Sequence, residues 1–549
     1  MTEGQRLGLL VAGSLTDGLT ARLDPPVPIE SVRLGKFVKI AGDRYQYFCL
    51  VTDVQLEATN GDVLRDPPGR ATNVDELLRD VLGGTTTYGT IKLKPELMLG
   101  NPAAGPLLEE ADRVPRPART IPPHFSEVSE ASAEDFANVF GAEGDEYFQI
   151  GQPIDMDVPV CISLPRLVQR SNGVFGKSGT GKSFLTRLLL CGIIRTRQAV
   201  NLIFDMHSEY GWNANTEDRL EVKGLRQLFP GQVLVHTLDP EASAQRGVST
   251  DGVIKIGLGE ITVEDVLLLQ DELKLHRTAV ESASLCEEEL GREWARALLE
   301  MEGPDVVEFA ERTGGNVASL NALRSKLRLI KALPFVESSV SHSSLDHVVK
   351  SLEAGKHVVL EFGRQKRLLA YILVANVITR RLHSLWVRKM ERYLSTKQEA
   401  DRPPQLMITI EEAHKFLNPE AARQTTFGTI ARELRKFNVT LLVVDQRPSG
   451  IDPEVLSQIG TRVTCQLNDE RDIDAIFTGV SGGSHLRTVL ATLDSREQAL
   501  VLGHAVPMPV MVRTRKYDAA FYAAMSPVGS SSAIVASARR YEEIFGTDD

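Results

Sequence analysis

The chain has 549 residues, too many for one hydrophobic core, and its 42% apolar and 25% charged residues suit an ordinary folded protein of about two or three domains. A formal net charge of −11 excludes a surface that coats nucleic acid everywhere, although a basic channel inside an acidic body stays open. No run approaches ~18 apolar residues and no basic-then-apolar leader opens the chain, so a cytoplasmic protein is expected. The five cysteines are scattered without a C-x-x-C pair, which argues against structural disulfides and a zinc site.

Residues 1–98 carry short β-type runs, Leu7–Val11, Phe37–Ile40, Tyr45–Val54 and Thr85–Leu93, punctuated by glycines such as Gly13, Gly18, Gly35, Gly42 and the Gly83-Gly84 pair. Many short strands with glycine turns predict a small β-barrel or sandwich. Residues 99–149 begin with Pro102, Pro106, Pro115, Pro117, Pro122 and Pro123 and read as a linker or extended arm.

An α/β core follows over 150–212 and 351–515. Residues 176–183 read Gly-Lys-Ser-Gly-Thr-Gly-Lys-Ser, the phosphate-binding pattern G-x-x-x-x-G-K-[ST] at every fixed position. Backbone N–H groups of Gly176, Lys177, Ser178, Gly179, Thr180 and Gly181 would cradle the phosphates of ATP. Lys182 would reach the β- and γ-phosphates, the Ser183 hydroxyl would hold Mg²⁺, and Phe184 opens the following helix. Gly173-Val174-Phe175 predicts the strand before this loop. Leu185, Leu188, Leu189, Cys191 and Ile194 recur at helical spacing after it.

Four further apolar runs predict buried parallel strands: Val200–Phe204, Val358–Phe362, Leu406–Ile410 and Val439–Val444. Residues 213–350 show helical spacing instead, as in Val263, Val266, Leu267, Leu269 and Leu273, and predict an all-helical insertion. Most core strands end on polar residues, where ligands of such sheets bind. Glu411 and Glu412 end the Leu406 strand as paired acids. Glu411 would orient Mg²⁺ through its water shell, and Glu412 would polarise the water that attacks the γ-phosphate. Gln446, at the end of the next strand, can sense that phosphate. Ala499–Leu502 and Met508–Val512 predict two more strands, and residues 516–549 a polar tail with one short helix.

Five segments in this order resemble the HerA branch of the HerA–FtsK ATPases: Gly176–Ser183, Asp205–Tyr210, Ile408–Phe416, Ile430–Phe437 and Asp445–Gly450. The barrel segment resembles that family's N-terminal domain through Val32–Val38 and Cys49–Val54, so the resemblance covers the chain to about residue 515. The sequence departs from the family with Glu411 where Asp is usual and Ser208 where Gly is common.

The resemblance implies a RecA-like P-loop core of the additional-strand, catalytic-glutamate class. It also implies a hexameric ring that hydrolyses ATP and moves double-stranded DNA through its channel. Family members work with a NurA-type nuclease in DNA end resection, or with sirtuin-like or nuclease effectors in antiphage defence, docked on the barrel. Arg432 or Arg435 would complete a neighbour's site in such a ring, with Arg447 as a rival. Lys415, Arg423, Arg364, Lys366 and Arg367 are the candidate DNA contacts. Two other readings stay open: an ATP-gated scaffold that controls an effector enzyme with little translocation, and a coupling ATPase of conjugation or secretion.

Overall fold

The computed structural model describes residues 4–59, 65, 81–82, 86–107, 109–215, 221–340, 343–365, 367–420, 422, 426–480, 483–494 and 497–525. They form two compact units, Met1–Leu164 with Thr461–Arg515, and Pro165–Gly460 with Lys516–Asp549.

The first unit begins with a closed barrel of six strands: Gly18–Leu23, Arg6–Ser14, Glu127–Glu130, Phe37–Ala41, Tyr45–Ala58 and Thr87–Gly100. Antiparallel pairing of Leu19–Arg22 with Thr90–Leu93 closes the ring and removes the free edges. Alternate side chains point inward, so Leu7, Leu19, Ala21, Val38, Ile40, Cys49, Val51, Ile91 and Leu93 pack one apolar core. Four of the six strands coincide with the expected runs. The sixth, Glu127–Glu130, comes from the segment expected to be a linker. Its Glu-Val-Ser-Glu sequence gives only Val128 to the core, and one apolar residue makes no alternation to read. The proline-rich stretch before it runs through two 3-10 turns, Pro102–Leu107 and Glu110–Arg113. The unit also holds the antiparallel strands Thr461–Thr464, Gln498–Gly503, Val510–Thr514, Tyr147–Pro153 and Val160–Ser163. The C-terminal strands expected within the nucleotide core thus group with the barrel.

The second unit is built on seven parallel strands in the order Gly252–Val253, Val233–Thr237, His357–Glu361, Val200–Asp205, Leu406–Glu411, Val439–Asp445 and Asn172–Phe175. The strands from His357 onward are buried at every position, so they read as continuous apolar runs. The strand Val439–Asp445 lies between the strand before the P-loop and the strand with the paired acids. That is the extra strand expected of the class. Val233–Thr237 is a core strand inside the span expected to be wholly helical. It is short, follows Pro230-Gly231 and carries a polar His236, which hides its period.

The helical cluster itself occupies Val263–Lys331. Thr262 caps its first helix, with its hydroxyl accepting from the Asp265 N–H. The buried Asp265 carboxylate also accepts from Asn376 at 2.6 Å and Arg380 at 2.7 Å, tying the cluster to the long helix Leu368–Thr396. No helix among the described residues is long and apolar enough to cross a membrane. The five cysteines are buried and form no disulfide among the described residues.

Candidate functional site

The P-loop turns from strand Asn172–Phe175 into helix Lys182–Thr196. Gly179 (φ 77°) and Gly181 (φ 92°) adopt the left-handed conformation that a side chain would resist. No atom lies within 4 Å of where a Cβ on Gly181 would stand, so the space beside it is open toward a ligand. Lys182 Nζ donates to the Lys177 carbonyl at 2.8 Å, and the Thr180 hydroxyl donates to the same oxygen at 2.8 Å. These bonds hold the loop curled. The helix behind it buries Leu185, Leu188, Leu189, Leu190, Ile193 and Ile194, each worth about 1.5–3 kcal/mol. The loop therefore sits on a firm base. Phe184 packs edge-to-face with Tyr517 at 6.1 Å between centroids, and the Arg187 guanidinium lies 5.3 Å from the Phe184 ring. The first part of the expected tail, with its helix Ala519–Met525, belongs to this surround.

Farther along the same sheet, strand ends carry buried acids. Asp205 is wholly buried and accepts from the N–H groups of Glu209 (2.8 Å), Tyr210 (2.8 Å) and Gly211 (3.4 Å). Glu411 accepts from the Tyr210 hydroxyl at 3.0 Å, and the Tyr371 hydroxyl donates to its carbonyl at 3.3 Å. Tyr371 stands edge-on to Phe362 and Phe416 at 4.7 and 4.5 Å, an aromatic floor that keeps water out. Burial first, and the neighbouring Asp205 second, hold the Glu411 carboxyl well above the usual carboxylate range. Burial likewise raises Asp205. Glu411 Oε2 is buried and has no hydrogen-bond partner among the described residues.

Glu412 leaves the strand with φ 51° and ψ 44°, left-handed for a residue with a side chain, at a cost on the order of 1–2 kcal/mol. The turn is held from outside. Gln446 Nε2 donates to Glu412 Oε1 at 3.1 Å, and His414 Nδ1 lies 3.7 Å from Glu412 Oε2. The buried Asp445 carboxylate accepts from His414 N at 2.6 Å and from Arg447 N at 2.6 Å. It also contacts His414 Nδ1 at 3.0 Å. That last contact raises the His414 pKa above its ordinary value.

The residues fit a nucleotide with its metal. A curled glycine loop faces open space, and a buried Glu411 oxygen without a partner among the described residues lies at the carboxyl end of the same sheet. Among the described residues no group of three or more His, Cys, Asp or Glu could hold a metal alone. Mg²⁺ here would take its ligands from Ser183, phosphate oxygens and water, as that ion prefers.

A family model described as "Helicase HerA, central domain" matches residues 148–382. The chain is 23% identical over 516 residues, 93% of each chain, to the DNA double-strand break repair helicase HerA of Sulfurisphaera tokodaii. It is 23% identical over 494 residues to that of Saccharolobus solfataricus, covering 89% and 88% of the two chains. The chain is thus similar to the HerA helicases, through the central-domain model and through relatives matched over most of its length. Among solved structures, VirB4 of Thermoanaerobacter pseudethanolicus is similar with a TM-score of 0.43 and 13% identity, covering 68% of this chain and 98% of that one.

With its complete phosphate-loop pattern and its likeness to these helicases, it is a P-loop ATPase. The fold brings Gly176–Phe184, Glu411, Glu412 and Gln446 to the carboxyl ends of one parallel sheet. Arg432 and Arg435 fall in helix Thr426–Glu433 and the turn Leu434–Phe437, and their side chains lie outside the described residues. Arg423 and Lys366 also lie outside them. Arg364 is engaged by acids, with Nε 2.8 Å from Asp239 and Nη2 3.0 Å from Glu241. Arg367 is exposed at the head of helix Leu368–Thr396, and Lys415 is half-buried in the turn after Glu412. Sequence reasoning missed Tyr210, Tyr371, His414 and Asp445 as parts of the site. Asp445 had a signal, since it stands polar at the end of an apolar strand, and His414 follows the paired acids in the next turn. Tyr371, inside a helix far along the chain, had none.

Proposed function

We propose that this chain is an ATP-driven translocase of double-stranded DNA. It works as a homohexameric ring with a NurA-type nuclease or another effector enzyme docked on its barrel. The observation that carries the reading is Glu412, which accepts from the Gln446 amide just past the adjacent strand, at the carboxyl end of the sheet that also carries the P-loop. Glu412 accepts a proton from the attacking water, and Gln446 couples its position to the γ-phosphate. Lys182 leaves the Lys177 carbonyl for the phosphates when nucleotide enters. Ser183 would hold Mg²⁺ and Glu411 would orient its water shell, and the chemistry supplied there would be neutralisation of phosphate charge. Arg432 or Arg435 reaches the neighbouring subunit's site, where a guanidinium stabilises the transferring phosphoryl group.

The relatives named as DNA double-strand break repair helicases support duplex DNA as the track. The grip on it is through phosphates, by Lys415 and Arg367, and is independent of sequence. The test is displacement of a third strand from linear duplex at low salt, with ATP and with a non-hydrolysable analogue. Displacement with ATP alone, weakening steeply as salt rises, is expected. Duplex that neither binds at low salt nor changes the ATPase rate, with the partner enzyme present, overturns the reading.

A further inference from the structure

We propose that Asp445 and His414 form a positioning pair that sets the Glu412 carboxylate for water activation. The inference rests on the reading of Glu412 as the base and assigns what keeps it there. Glu412 stands in a left-handed turn that its own residue type does not favour, so its direction must come from neighbours. Its two oxygens meet two different ones: Oε1 receives the Gln446 amide at 3.1 Å, and Oε2 faces His414 Nδ1 at 3.7 Å.

His414 is itself fixed. Its backbone N–H and its ring nitrogen both address the Asp445 carboxylate, at 2.6 and 3.0 Å. Gly450 shuts the other side, since a Cβ there would stand 3.2 Å from His414 Cβ. Asp445, 1% exposed, is no ordinary strand end. Its carboxylate accepts the Arg447 N–H at 2.6 Å, which fixes the bend just after Gln446. Its carbonyl accepts the N–H of Gly176, the first P-loop residue, at 3.3 Å. One residue thus ties together the start of the phosphate loop, the residue that touches Glu412 Oε1 and the ring that faces Oε2. A buried acid with these connections transmits position. It touches no reacting atom itself, and its loss should appear in turnover rather than in nucleotide binding.

The experiment measures kcat, ATP affinity and melting temperature for the full-length chain and four variants: Glu412→Gln, Asp445→Asn, His414→Ala and His414→Asn. Asn places an amide N–H near the position of Nδ1, so it keeps the bond to Asp445 while discarding the ring. Expected are a kcat about 10–100-fold lower for His414→Ala and Asp445→Asn, ATP affinity within about threefold of the parent, and substantial recovery of kcat in His414→Asn. If Asp445→Asn fails to fold, the two His414 variants decide. Normal kcat in His414→Ala beside an inactive Glu412→Gln overturns the pair and leaves the base standing. So does a loss in His414→Ala shared equally by affinity and melting temperature and not recovered by Asn. Turnover persisting in Glu412→Gln removes the base reading itself.

Discussion

Two buried acids of the barrel unit and two at strand ends of the parallel sheet are treated differently. In the barrel unit, Asp112 lies 3.1 Å from Arg44 and 2.5 Å from Arg116, and Asp135 lies 2.9 Å from Lys39. Both of these buried acids have a basic partner. In the parallel sheet, Asp205 is held by backbone N–H groups alone and Glu411 by a tyrosine hydroxyl. Both have raised pKa values because burial disfavours their charged form. The barrel acids are paired with bases and serve packing, whereas Asp205 and Glu411 at the sheet's strand ends have no basic partner among the described residues. An imbalance of that kind marks a functional site.

The largest effect should come from the balanced side. Phe48 is wholly buried and stacks on Phe37 at 5.6 Å. Phe48→Ala should cost about 3–5 kcal/mol in denaturant unfolding of its unit. Basal ATP turnover per folded molecule should stay unchanged, and a matching loss of turnover would break the comparison.

Acid separates the units through buried histidines. His236 and His357, both on the parallel sheet, have pKa values lowered to about 4 by burial, from an ordinary 6.5. Between those values the unfolded chain binds the proton and the folded one does not, so each histidine removes stability as pH falls from about 6.5 to 4. The raised strand-end acids act in the opposite sense, so the sign is read from a difference. Neither His236 ring nitrogen has a hydrogen-bond partner among the described residues. His236→Leu should therefore gain over the parent by up to about 3 kcal/mol as pH drops through that window, then hold constant. Melting curves at stepped pH check it, and a gap that shrinks toward pH 4 contradicts the assignment.

Glu411→Gln sharpens the contrast from the other side. Removing an unbalanced buried charge should leave the melting temperature unchanged or higher, while ATP turnover falls about 10–100-fold. A lower melting temperature with normal turnover would make Glu411 structural. The smallest effect is expected of Arg364→Ala. Its guanidinium already serves Asp239 and Glu241, so DNA-stimulated hydrolysis should change little, measured beside Arg367→Ala, which should reduce it.

The nucleotide core was legible because its strands are buried throughout and its loop chemistry is local in sequence. The run Leu406–Ile410 followed by two acids announces a strand and its acidic end together. What escaped was set by tertiary contact. Glu127–Glu130 becomes a barrel strand by pairing with Arg6–Leu9 and Phe37–Ala41, on one inward valine. Tyr371 reaches Glu411 from 40 residues away along a helix whose apolar pattern looks like any core helix. The pair of His414 with Asp445 needed the register that sets Glu411 opposite Val444. Sequence shows each residue but not that adjacent strands bring them within 3.0 Å.

The central claim is that the paired acids at the strand end hydrolyse ATP, with Glu412 as the base. It is tested most directly by steady-state ATP hydrolysis and nucleotide binding for the parent and Glu412→Gln, with and without linear duplex DNA. The account predicts a parent rate that rises with duplex, and a Glu412→Gln variant that binds ATP normally but turns over about 10²–10⁴-fold more slowly in both conditions. Near-normal hydrolysis by Glu412→Gln would contradict it.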